Sequence, residues 1–111
     1  MSNKNTSEIK FLVELDENRV PERLFWTAKD GGVELSETKA IMLNVWDNKT
    51  KESMRIDLWT KEMMVEEMQH LFYETFRSMA DTYLRATNDT KASEAITAFA
   101  QQFGKINGVV K

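Results

Sequence analysis

The feature that most limits how this chain folds is a change of hydrophobic period inside residues 38–87. Thr38-Lys39-Ala40-Ile41-Met42-Leu43-Asn44-Val45-Trp46 alternates apolar and polar, and Ser53-Met54-Arg55-Ile56-Asp57-Leu58-Trp59 does so again after Asp47-Asn48-Lys49-Thr50-Lys51. Such alternation is the signature of two strands joined by a polar turn. With Val45 opposite Met54, Leu43 meets Ile56, Ile41 meets Leu58, and residues 48–51 close the hairpin. A slip by one residue turns one aliphatic set away from the other, so the pattern specifies the register. One face is then Ile41, Leu43, Val45, Met54, Ile56 and Leu58; the other mixes Ala40, Met42, Asn44 and Trp46 with Ser53, Arg55, Asp57 and Trp59.

After Trp59 the period lengthens. Thr60 suits an N-cap, with Glu62, Glu66 and Glu67 following where a helix start favours negative charge. Val65, Met68, Leu71/Phe72, Thr75/Phe76, Met79, Tyr83 and Ala86 recur every three or four residues, one stripe on a helix of about six turns and roughly 35 Å. A sheet with one apolar face usually buries it under helices. The aliphatic face is therefore expected in the core, where an Asp at Ile56 would unfold the domain.

Upstream, Ser7-Glu8-Ile9-Lys10-Phe11-Leu12-Val13-Glu14-Leu15 predicts a strand with Leu12 alone among charges on one side, and Asp16-Glu17-Asn18 a turn. Arg23-Leu24-Phe25-Trp26-Thr27-Ala28 predicts a second strand, closed by Asp30-Gly31-Gly32, with Val33 to Glu37 leading into the hairpin. Downstream, Asn88, Asp89 or Thr90 can cap a second helix carrying Ala92, Ala95, Ile96, Phe99, Ala100, Phe103 and Ile106; Gly104 and Gly108 weaken its end, so Val109 to Lys111 is expected to fray. The expectation is an α+β fold: a four-stranded antiparallel sheet of two hairpins followed by two C-terminal helices packed on one face. It forms a single domain over residues 7–108 after a disordered tail, 1–6.

Composition narrows the function classes. At 111 residues and 41% hydrophobic content the chain can build a core without staples. It has no cysteine, which removes disulfides and thiolate chemistry. No run is long enough for a membrane span and no secretory h-region opens the chain, so a cytoplasmic location is expected. A net charge of −3, with basic residues dispersed among acids, argues against nucleic acid as a partner.

Whole stretches carry a family likeness. Asp30-Gly31-Gly32-Val33-Glu34, Thr38 to Leu43, Val45-Trp46-Asp47, Arg55-Ile56-Asp57-Leu58-Trp59-Thr60-Lys61 and Arg85-Ala86-Thr87-Asn88-Asp89 resemble the gliding-motility protein family GldC. So do Ser7 to Phe11, Glu14 to Asn18 and Val20-Pro21-Glu22; the likeness spans residues 7 to about 89. It implies a small soluble accessory protein that supports bacterial surface motility, has no enzymatic activity, and works with protein partners of the gliding or export machinery. The strand and helix order is also similar to the SecB-type export chaperone fold. That likeness opens the alternative of a chaperone or export-substrate binder, although fold alone does not set function.

No residue pattern reads as catalysis. Glu67-Met68-Gln69-His70 has Glu-x-x-His spacing, but the second helix supplies only Glu94 and no histidine, so a solvated helix face is favoured over a metal site. The lone His70 lacks a nucleophile partner. Asp30-Gly31-Gly32 lacks the Gly-Lys-Ser/Thr of a phosphate loop and reads as a hairpin turn. No catalytic, cofactor or metal residues are expected. Of the seven methionines, Met54, Met68 and Met79 fall on core stripes, and Met42, Met63 and Met64 can reach the surface. The strongest functional signal is the second sheet face. Leu12, Phe25, Met42, Trp46 and Trp59 point away from helices lying on the aliphatic side, ringed by Lys10, Glu14, Arg55 and Asp57. Apolar patches of that size on a polar-rimmed surface mark interfaces, so a protein-interaction face and a homo-oligomer are expected. The competing reading is that the Pro21 loop or the amino terminus folds over part of it.

Overall fold

The computed structural model describes residues 5–111; of the expected tail, residues 1–4 lie outside the described residues. The elements in order are β1 (Lys10–Leu15), β2 (Pro21–Ala28), β3 (Val33–Thr38), β4 (Ala40–Asp47), β5 (Glu52–Trp59), α1 (Val65–Thr87) and α2 (Thr90–Ile106). They fall into two compact units, Met1–Met63 and Met64–Lys111.

In the first unit the expected single four-stranded sheet is replaced by two antiparallel sheets, β1-β2-β3 and β4-β5. The strand missed by pattern reading is β3. Its pairing with β2 shifts register between Trp26 and Ala28, and Leu35 sits at φ 46° with its N–H donating to Thr27 Oγ1 at 3.0 Å. Such a bulge inserts a residue into the strand, and the run Val33 to Thr38 has only Val33 and Leu35 as apolar residues, too few to mark it as a strand. The sheets part at Lys39. Leu24 pairs with Thr38 at the end of one ladder and Ala40 with Trp59 at the end of the other, while the Thr60 N–H donates to the Lys39 carbonyl at 2.9 Å.

The β1–β2 turn is built by Asp16. Its carboxylate accepts from the N–H groups of Asn18 at 2.8 Å and Val20 at 3.0 Å, and these bonds, Val20 first, hold its pKa below the ordinary carboxylate value. The core of this sheet lies on the Leu24 side, and Leu24 is fully enclosed. The β4–β5 hairpin has the expected register, with Ile41 on Leu58, Leu43 on Ile56 and Val45 on Met54. Its aliphatic face is buried at one end only: Ile41 is 9% exposed, Leu43 and Leu58 are half-buried, and Val45, Met54 and Ile56 are each more than half exposed. That corrects the expectation of a core face.

The second unit is an antiparallel helix pair held at close range by small residues. Ser93, Ala100 and Gly104 of α2 and Tyr73 and Ala80 of α1 are its buried positions. A Cβ at Gly104 would stand 2.8 Å from the Tyr73 ring and from Val110, so Gly104 sets the approach instead of merely weakening the helix end. The buried Ser93 hydroxyl donates to the Ala80 carbonyl at 2.8 Å. Val110 does not fray: its N–H donates to the Gly104 carbonyl at 3.0 Å. The α1 stripe also differs from expectation, since Val65 and Met79 are exposed while Tyr73 and Ala80 are enclosed. Small side chains let α2 approach on one narrow face, and that contact, more than average hydrophobicity, decides which residues are enclosed.

The caps show a similar exchange of roles. Thr60 is buried at the sheet end and does not cap α1; Met64 holds the N-cap position, with its N–H donating to Glu67 Oε1 at 3.0 Å. Asp89 caps α2, accepting from the Ala92 N–H at 3.1 Å and from the Tyr83 hydroxyl at 2.8 Å. Asn88, at φ 58°, closes α1, a conformation asparagine tolerates.

Candidate functional site

The five residues expected to form one contact face stand on two sheets. Leu12 and Phe25 are direct cross-strand partners in β1 and β2, whereas Met42, Trp46 and Trp59 share one face of the β4–β5 hairpin, where Trp46 is opposite Ser53, Met42 opposite Asp57 and Trp59 opposite Ala40. The division at Lys39 is what separates the two groups.

The first group is tempered by charge. The Arg23 guanidinium lies 4.8 Å from the centre of the Phe25 ring, a distance at which cation and ring attract. Arg23 also donates from Nε and Nη2 to the two Glu37 carboxylate oxygens at 3.2 and 3.1 Å and stands 3.9 Å from Glu14. The Arg23 bond holds the Glu37 carboxyl below its usual pKa and in turn raises that of Arg23. Beside this network an open cleft of about 450 Å³ is lined by Glu22, Arg23, Glu37, Thr38, Lys39, Thr60 and Glu62. Charge of both signs on an open wall makes it a poor enclosure for an apolar ligand.

The second group is open. Trp46 is 63% and Trp59 56% exposed, with Met42 half-buried between them. Six residues separate Trp46 from Ala40, the cross-strand neighbour of Trp59, so the two indoles stand about 20 Å apart along the ribbon at the strand rise of roughly 3.4 Å per residue. Polar partners lie between them: the Ser53 hydroxyl donates to Asn44 Oδ1 at 2.7 Å, and Arg55 is bonded to Asp57 at 2.9 and 3.3 Å. The turn beside Trp46 is braced by Asp47, whose carboxylate accepts from the Thr50 hydroxyl at 2.7 Å and from the Lys49 and Thr50 N–H groups at 3.4 Å. The Thr50 hydroxyl is the main reason its pKa is lowered. Two large aromatics thus flank a hydrogen-bonded polar strip on a short, well-defined ribbon, an arrangement fitted to binding another protein surface.

Pattern reading assigned other open apolar groups to the core. Met54, Ile56 and Val45 form one, on the reverse face of the same ribbon. The other is a ring cluster on the helix pair in which Phe76 meets Phe99 and Phe103 at 5.2 Å between centres and Phe72 at 5.9 Å, with Phe99 half exposed. The Phe72/Phe76 and Phe99/Phe103 spacings, four residues apart, signal such a cluster in the sequence. Met79 is exposed as well, Met64 as expected reaches the surface, and Met42 and Met63 are half-buried. Among the described residues no group of His, Asp and Glu is placed to hold a metal ion, and no helix is long and apolar enough to cross a membrane.

A family model described as gliding motility-associated protein GldC-like matches residues 21–107. Among curated proteins and solved structures there is no match to the chain.

Proposed function

We propose, on the premise that the chain belongs to the gliding motility-associated GldC-like family, that it is a non-enzymatic cytoplasmic accessory protein that supports gliding motility through protein contacts. Its docking face is the Trp46, Met42 and Trp59 side of the β4–β5 ribbon. One observation carries this reading: two tryptophans more than half exposed on a single face of a hairpin whose turn is braced by the Thr50–Asp47 bond and whose polar strip is braced by the Ser53–Asn44 bond. Exposed indoles are costly to keep in water and supply much of the energy when they are buried in an interface. The partner is a protein of the gliding or export machinery with an apolar, polar-rimmed surface.

The test is a pull-down from a gliding bacterium with the wild-type chain and with Trp46→Ala plus Trp59→Ala. A discrete partner retained by the first and lost by the second, with native circular dichroism in both, is the expected result. Unfolding of the double variant would assign the indoles to the core. Weak capture of many unfolded chains in place of one partner would favour an export-substrate binder.

A further inference from the structure

The outer edge of β5 goes beyond that docking face, because it lies along the rim of the ribbon and not on its surface. β5 runs 8 residues, Glu52–Trp59, and among the described residues it pairs only with β4. Between Ser53 and Trp59 it has no proline, no lysine and no bulge, three of the devices that stop an edge strand from pairing with another chain, and its two charges, Arg55 and Asp57, are of opposite sign. Residues 52–57 are all exposed. A two-stranded ribbon is marginal in water, and further strands are the usual remedy.

The charges on this strand say what fits. Arg55 and Asp57 bond to each other along the same strand at 2.9 Å, and across the hairpin β4 offers them only Asn44 and Met42. We infer that the edge is occupied by β5 of a second copy of this chain, antiparallel to the first, with the two-fold axis at Ile56. In that register Ile56 faces its own counterpart, Arg55 faces the second copy's Asp57 and Asp57 its Arg55, Met54 faces Leu58, and Ser53 faces Trp59. Both ion pairs are satisfied and the aliphatic row continues across the join. An axis at Arg55 or at Asp57 sets like charges opposite, and an axis between residues sets aliphatic against polar side chains. Self-complementarity about one axis is what an isologous dimer requires, and the product is a four-stranded antiparallel sheet made from two hairpins.

Sedimentation equilibrium on the full chain tests it, with twice the chain mass expected for the wild type. Arg55→Asp alone and Asp57→Arg alone each place two like-charge pairs beside the axis and weaken self-association by about tenfold or more. An equimolar mixture of the two variants restores a 1:1 dimer, since every Asp then faces an Arg; that recovery also shows both variants are folded. The register has its own readout in a chain without cysteine. Ile56→Cys oxidises to a covalent dimer, because directly opposed residues have Cα atoms about 4.5–5.5 Å apart. Met54→Cys, 57% exposed against 55% for Ile56, does not, because its counterpart is displaced by four residues, about 14 Å. A monomeric wild type, single-charge variants that stay dimeric, a mixture that fails to associate, or faster cross-linking at 54 than at 56 overturns the inference. A dimer abolished only by Trp46→Ala with Trp59→Ala does so as well, by moving the second copy to the face.

Discussion

Along α2 the most enclosed residues are among the smallest, Ser93, Ala100 and Gly104, whereas along β4 and β5 several of the largest apolar side chains, Trp46, Trp59, Met54 and Ile56, stand in the open. The helix pair encloses one narrow face by letting backbones approach closely, and it completes that contact with a buried hydroxyl–carbonyl bond, while Phe99, Met79 and Ile106 stay open outside it. The ribbon cannot do so. Two strands have two faces and two edges, and on this ribbon burial reaches little beyond the Ile41 end. Burial therefore has different sources in the two regions: close backbone approach at small residues in the helices, and enclosure of only the Ile41 end in the ribbon.

The largest effect expected from that contrast comes from placing the same charge in both regions. Ala100→Asp buries an unpaired carboxylate at a fully enclosed position and should unfold the helix pair, seen as lost helical circular dichroism, because an unpaired buried charge costs several kcal/mol. Ile56→Asp, at a position more than half exposed, should leave folding within about 0.5 kcal/mol and act on association. Unfolding by Ile56→Asp would return the aliphatic face to the core and remove the contrast.

Next in size is the Tyr73–Gly104 contact. Tyr73→Ala should cost about 3–5 kcal/mol through the cavity it leaves. Gly104→Ala should cost about 1–3 kcal/mol by overpacking, despite the helix propensity it gains. In denaturant titrations the second substitution should lose part of its cost once the ring is gone, the Val110 contact keeping the rest; strict additivity would deny that Tyr73 and Gly104 share the space.

On the ribbon, Trp46→Ala and Trp59→Ala should each weaken partner binding by about 2 kcal/mol, with thermal unfolding nearly unchanged. The smallest effect is electrostatic. Asp89 has its pKa depressed, first by the Ala92 N–H and then by the Tyr83 hydroxyl, so the unfolded state binds its proton more readily. Its stabilising contribution is complete above the unfolded carboxylate pKa of about 4 and is lost as pH falls through the lower folded value. Asp89→Asn keeps a cap acceptor without a titrating group and should flatten that acid limb for the helix pair; an unchanged limb would assign the acid sensitivity to other carboxylates of the pair.

Much of the local structure was legible because it rests on short-range rules. The β4–β5 register follows from strict alternation, and a cap among Asn88, Asp89 and Thr90 follows from a polar break between two helical stripes. Trp46, Met42 and Trp59 on one face follow from the same alternation. The strand at Val33 to Thr38 was not legible, because Val33 and Leu35 are its only apolar residues and its pairing with β2 depends on a bulge that no local pattern announces. Nor was the enclosed face of α1, since Tyr73 and Ala80 are chosen by what α2 can approach.

The sequence alone thus determined most element types, the hairpin register, the polar break that caps α2 and the family, all of which depend on neighbours within a few residues or on whole-stretch likeness. Only the tertiary structure decided that the strands divide at Lys39 into two sheets, that Leu12 and Phe25 lie apart from the tryptophans, and that the aliphatic face of the ribbon is largely open. The physical reason is common to all three. Apolar alternation states that a face avoids water, but which surface covers it is a property of distant segments, and one strand's pattern reads the same whether its cover comes from its own chain or from another.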